Sequence, residues 1–146
     1  MILYNDEFFM DLAYKEALIA FEEDEVPIGC VLVLDNKIIS KAHNQVEKLK
    51  DPTAHAEILC ISSACSYLNT KFLYNSTIYV TLEPCIMCYG AIELSRISKI
   101  VFGVNEPKFG FLTSLAKQSV PNQNGFYVDK IRNLMNQYFI SKRKKN

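Results

Sequence analysis

The chain has 146 residues, 16 basic and 16 acidic, for a formal net charge of zero, with 49% hydrophobic and 22% charged side chains. That length suits one domain able to bury roughly 70% of its unfolded surface, and the composition excludes a disordered or fibrous protein. The longest apolar run, Ile28 to Leu34 with Gly29 counted, falls well short of the ~20 residues a membrane-spanning helix needs. The start, MILYNDEFF, is acidic where a signal peptide would be basic, so a soluble, cytoplasmic domain is expected over residues 1–146.

In chain order, Phe9, Ala13, Ala17, Ala20 and Phe21 make an apolar helical stripe that begins near Asp6 and is ended by Val26-Pro27. Residues 28–34 are too short for an ordinary helix and rich in β-branched side chains, which predicts a buried strand. Asp35-Asn36 predicts a tight turn, and residues 37–42 return as a second strand. Residues 43–52 read as a polar loop ending in Asp51-Pro52. Thr53 is then the expected N-cap of a helix over about 54–68. Residues 77–83 alternate Ile78, Val80, Leu82 against Tyr79, Thr81, Glu83, a strand pattern stopped by Pro84, which fits the first turn of a helix over about 85–95. Residues 99–104 form a further strand. Val128, Ile131, Leu134, Met135, Tyr138 and Phe139 outline a last amphipathic helix leading into a basic tail at about 141–146. This order implies an α/β sandwich with a mixed sheet.

The zero net charge hides a gradient. Residues 1–25 hold eight acids and one base, and residues 128–146 hold six bases and one acid, ending in Lys142, Arg143, Lys144 and Lys145. Two readings of that end stay open, a solvated terminus and a phosphate-binding arm for nucleic acid. Of the five cysteines, Cys30, Cys60 and Cys65 lie in apolar stretches and read as small buried hydrophobes.

Cys85 and Cys88 differ. Cys-x-x-Cys by itself is ambiguous between a metal site and a redox pair. Here Pro84 starts a helix at once, which puts both sulfurs in its first turn on one face, where the helix dipole favours thiolates. His55 supplies a third ligand type at another helix start, and the other histidine, His43, has no such context. Structural zinc takes four protein ligands, whereas catalytic zinc keeps one position for water. Three ligands with an open position is the economical count. Glu57, two residues from His55 on a helix, is poorly placed to share the metal but able to reach a water there. Two thiolates and a neutral imidazole cancel the charge of Zn²⁺, so a carboxylate that moves the water's proton is useful.

The joint pattern His-x-Glu, then Pro-Cys-x-x-Cys 27 residues after the glutamate, resembles the zinc-dependent cytidine/deoxycytidylate deaminases. Within them it is most similar to the bacterial tRNA-specific adenosine deaminases, through VPIGCVLV (26–33), DPTAHAE (51–57), TLEPCIMC (81–88), GAIELSRI (90–97) and IVFG (100–103). The resemblance implies one zinc per subunit on His55, Cys85 and Cys88, with Glu57 as proton shuttle. It implies substrate contacts at Asn44, Ile28 and Ala56, and on the phosphate-binding reading of the basic end the RNA contacts are expected at Lys142, Arg143, Lys144 and Lys145. A three-layer sandwich around a mixed five-stranded sheet, a homodimer, and hydrolytic conversion of the wobble adenosine of a tRNA anticodon to inosine would follow. Glu106-Pro107-Lys108-Phe109-Gly110-Phe111-Leu112 departs from the family's usual stretch, with Phe and Leu where smaller residues are common. Two other functions are weighed. One is a deaminase of a free base or nucleoside, of guanine or cytosine type; the other is a non-catalytic zinc-stabilised RNA-binding module, against which Glu57 and the open position speak.

Overall fold

The structure, a computed structural model, describes residues 3–145, with side chains through Lys144. Asn5 opens helix α1 (Asp6–Glu22) by accepting the Phe8 N–H at 2.9 Å on its side-chain oxygen. The buried stripe is Phe9, Met10, Ala13, Ala17 and Ala20, while Phe21 is only partly covered. The helix stops at Glu22, five residues before Pro27. Asp24 turns to φ 63° and the Glu25 N–H returns to the Ala20 carbonyl at 2.9 Å, so a left-handed residue ends it and not the proline.

Strands β1 (Gly29–Leu34) and β2 (Lys37–His43) form the expected hairpin. Asp35 and Asn36 both hold positive φ, which the turn between right-twisted strands demands. Residues 43–52 are not wholly loop: α2 (Val46–Leu49) adds one helical turn, whose Glu47 and Lys48 N–H groups are taken by the buried Glu25 carboxylate at 2.9 and 2.7 Å. Helix α3 (Ala56–Leu68) begins later than expected, because Thr53 turns back, donating both its N–H and its hydroxyl to Asp51. The N-cap position falls to His55. Strand β3 (Ser76–Leu82), helix α4 (Ile86–Leu94) and strand β4 (Lys99–Val104) follow as expected, with Cys85 at the N-cap of α4 and Pro84 just outside it. A further turn, α5 (Phe111–Ser114), and a two-residue strand, β5 (Asn122–Gln123), precede α6 (Val128–Lys145). Neither short element carries a sequence period.

The sheet order is β2-β1-β3-β4-β5, antiparallel across the first two pairings and parallel across the last two. Alternate strand residues point to two cores. Cys30, Leu32, Ile78, Val80, Ile100 and Phe102 pack with α3 and α4, while Val31, Val33, Tyr79 and Val101 pack with Phe9, Met10 and Ala13 of α1. Helix α6 lies beside α1 against β4. The result is the expected three-layer sandwich. Both faces are covered, so Tyr79 and Thr81 of β3, and Glu83 just beyond its end, are buried as well. At Gly29, a Cβ would collide with the Ala13 carbonyl, so α1 can come this close to the start of β1 because that residue has no side chain. Cys30 and Cys60 are buried as expected and Cys65 is half-buried.

Candidate active site

Two helix starts meet beyond the C-terminal end of β3, the central strand of the sheet. His55 precedes the first turn of α3, and Cys85 and Cys88 flank the first turn of α4, where β3 has just ended. Their ligand atoms lie within 4.8 Å of one another. His55 Nδ1 stands 3.7 Å from Cys85 Sγ and 3.5 Å from Cys88 Sγ. Nδ1 is thus the ring nitrogen that faces both sulfurs, and it is the one that would ligate an ion between them.

The donor set fits a divalent ion. The hydrogen bond from Cys88 holds the Cys85 thiol down at about 4 against the effect of burial, with His55 helping. Cys88 moves the opposite way, raised by that same hydrogen bond, by burial and by the negative field of Glu57. One thiolate is stabilised by the protein alone, and the second needs a positive partner. A zinc ion bound by three such ligands would supply it.

Glu57 lies beside this trio, only 4% exposed, and its Oε1 is buried without a hydrogen-bond partner. Burial pushes its carboxyl up to about 7. An orphaned acceptor at full burial is costly unless something else binds there. A carboxyl near neutrality is also suited to taking and giving a proton. It lines a cavity of about 360 Å³ together with Ile28, His55, Cys85, Phe109 and Phe139. A neighbouring cavity of about 300 Å³ shares Val26, Ile28 and His55 and adds Asn44, Pro52 and Tyr138.

The expected residues therefore divide. His55, Glu57, Cys85 and Cys88 converge. Ile28 walls both cavities, and Asn44, buried and tied to Ile28 by a backbone hydrogen bond of 3.1 Å, walls the second. Ala56 lines neither: the whole residue, in the first turn of α3, is fully buried in the core. Lys142 to Lys145 are not a tail. They extend α6, and Lys142 is drawn 3.0 Å from Asp24, with its ammonium 5.5 Å from the Tyr138 ring. Arg143 and Lys144 are exposed; the side chain of Lys145 lies outside the described residues. His43 is set apart, its nitrogens 3.2 and 3.1 Å from Glu16 and Glu23.

Sequence reasoning missed Glu83. Its buried carboxylate accepts from Asn105 Nδ2 (3.1 Å) and the N–H groups of Glu106 (3.0 Å) and Leu112 (2.9 Å). It thereby folds residues 105–112 onto the start of α4, where Cys85 bridges Gly110 and the Phe111 N–H meets the Pro84 carbonyl at 3.0 Å. Phe111, one of the large residues in the divergent stretch, is a core plug stacked on Tyr89 at 4.6 Å. The available signal was its place between a strand end and a proline, where a long acid has no helix or strand partner of its own.

Residues 3–104 match the model for the cytidine and deoxycytidylate deaminase zinc-binding region. The chain is 55% identical over 109 residues to a tRNA-specific adenosine deaminase of Aquifex aeolicus (strain VF5), covering 75% of this chain and 72% of that one. A solved structure from a study of A-to-I editing by tRNA:A34 deaminases at the wobble position of transfer RNA superposes with a TM-score of 0.83 at 38% identity, over 87% of this chain and 98% of that one. A guanine deaminase from Bacillus subtilis superposes with a TM-score of 0.69 at 28% identity, over 97% and 95%. With its His, Cys, Cys trio, its buried glutamate and the match over residues 3–104, the chain belongs to the zinc-binding cytidine and deoxycytidylate deaminase family.

Proposed function

We propose that this protein hydrolyses the amino group of the wobble adenosine in a tRNA anticodon, leaving inosine and releasing ammonia. The observation that carries the reading is the buried Glu57 carboxylate, whose Oε1 has no hydrogen-bond partner, beside a three-ligand metal site at a cavity wall. His55, Cys85 and Cys88 would hold one zinc per subunit, and when bound the ion supplies a Lewis acid that makes water a better nucleophile near neutral pH. The names of the relatives, tRNA-specific adenosine deaminase among them, favour tRNA over a free base.

Each protein group then has a task. Glu57 takes a proton from the attacking water and delivers it to the ring nitrogen next to the carbon that bears the amine. As the C–N bond breaks, the same carboxylate takes the proton of the hydroxyl now on that carbon and passes it to the departing nitrogen, so ammonia leaves and the carbon keeps a doubly bonded oxygen. Ile28 packs against the base, Asn44 offers an amide to its edge, and the Ala56 N–H, in the first turn of α3, is a further donor. A stacked base cannot enter such a cavity, so the target nucleotide must be splayed out, which a single-stranded loop permits at small cost.

Further parts of the reading concern the assembly. Residues 1–146 act as one domain in the cytoplasm, where tRNA is found, and no helix among the described residues is long and apolar enough to cross a membrane. Two chains pair, supported by the exposed Ile86, Met87 and Leu94 of α4 and by Gly90, whose side is open. Arg143 and Lys144 face the RNA backbone. The test is ammonia release by zinc-loaded protein from an anticodon stem-loop with adenosine at the wobble position, against free guanine, cytosine and their nucleosides. Inosine formed in the stem-loop supports the reading. Turnover of free guanine alone would assign the guanine deaminase activity named for the Bacillus subtilis structure.

A further inference from the structure

We infer that Phe109 is a stacking platform for the nucleotide next to the target base, and so a positioning residue for the anticodon loop. The inference rests on the reading that the substrate is such a loop.

Phe109 is 62% exposed, an unusual place for a phenyl ring, yet it lines the same cavity as Glu57, His55 and Cys85. Its backbone is held on every side. The Glu106 carboxylate accepts from the Lys108 N–H at 2.8 Å and from Phe109's own N–H at 3.3 Å, and the Gly110 N–H meets the Glu106 carbonyl at 2.9 Å. On the far side, Phe111 is fixed in the core, and the Glu83 carboxylate anchors Asn105, Glu106 and Leu112. The ring is therefore presented by a preorganised loop, and its exposure is not a consequence of slack. Phe139 of α6, also exposed, lines the cavity from another element.

The occupant follows from chemistry. An exposed aromatic at the rim of a base-sized cavity offers a π-face, which every base can use regardless of sequence. Lys108 places its ammonium over one face of the Phe109 ring, 5.3 Å from the centroid, so a base would stack on the opposite face with a cation close by for the backbone charge. The negative charge at this rim is already engaged: Glu106 is bound by two N–H groups and Glu83 by three donors. A splayed-out nucleotide leaves its neighbours without a stacking partner, and an exposed phenyl fixed at the cavity mouth replaces it.

The experiment uses the zinc-loaded full chain and an anticodon stem-loop in which the base on either side of the target adenosine is removed in turn, its sugar and phosphate kept. KM, kcat and RNA Kd are measured for wild type, Phe109→Leu and Phe109→Tyr. For wild type, one of the two abasic RNAs should raise KM about tenfold. Phe109→Leu should raise KM and Kd about tenfold on the intact loop with kcat held, and should then be indifferent to that same abasic position. Phe109→Tyr should behave as wild type. Zinc content should be equal in all three. Unchanged KM in Phe109→Leu, additive losses at both flanks, or loss of zinc would overturn the inference. If wild type binds the stem-loop with this coupling in Kd but makes no inosine, the proposed reaction fails and the stacking role stands. If wild type does not bind the stem-loop, both fall.

Discussion

Gly110 and Glu83 compete for one volume: a Cβ on the glycine would collide with the glutamate carboxylate. The family-specific cysteine helix and the divergent loop are thus joined through a contact that tolerates no side chain. Gly110→Ala should displace Glu83, free the three donors it holds, and destabilise the protein by about 1–3 kcal/mol. Glu83→Gln should cost a similar amount, because an amide N–H₂ would face N–H donors. Thermal unfolding checks both. Equal midpoints for wild type and Gly110→Ala would show that the loop is not braced this way.

Glu57→Gln keeps the shape of the side chain and removes the group that moves protons. Turnover should fall by about 10²–10⁴-fold while zinc content and thermal stability hold. Stopped-time inosine assays with metal analysis on the same preparation are sufficient, and retained turnover refutes the role of Glu57.

Cys85→Ser and Cys88→Ser each remove a thiolate from a trio whose atoms span less than 4.8 Å. Both variants should purify with far less than one zinc per chain and no activity. A chelator applied to wild type should lower the unfolding temperature, since an ion that binds the folded state alone stabilises it. Absence of any metal-dependent shift would argue against the assigned ligands.

Lys142 is already paired with Asp24, whereas Arg143 and Lys144 are exposed. Replacing Arg143 or Lys144 by Ala should weaken stem-loop binding and reduce the slope of log K against log salt by about 0.7 each. Lys142→Ala should change that slope less. Filter binding at several salt concentrations distinguishes the three, and identical slopes throughout would mark the end of α6 as solvated only.

Gly29→Ala would press a methyl onto the α1 backbone at Ala13. A loss of at least 1–3 kcal/mol is expected by denaturant titration, with the metal site unaltered in composition. Wild-type stability in this variant would mean that α1 can shift without penalty.

The chemistry-bearing residues and the long elements were legible in the chain itself. His55, Glu57, Cys85 and Cys88 are few, their spacing is constrained by helical geometry, and metal ligands admit little substitution. The α1 stripe, the 28–34 strand and the parallel strand at 99–104 carry periods or apolar runs that depend only on local sequence. Folding in three dimensions decided the rest. Thr53 reads as an N-cap until Asp51 claims both its donors, and Glu83 ends a strand pattern with no visible role until residues 105–112 fold onto its carboxylate. The two-residue β5 and one-turn α2 and α5 are too short to leave a period, and exist because neighbours satisfy their backbone groups. Whether a lysine at the basic end is free or paired depends on Asp24, more than a hundred residues away in the chain. Local pattern determines which residues can ligate, turn or pack; partners distant in sequence determine which of those capacities are used, because a hydrogen bond or ion pair needs both of its halves.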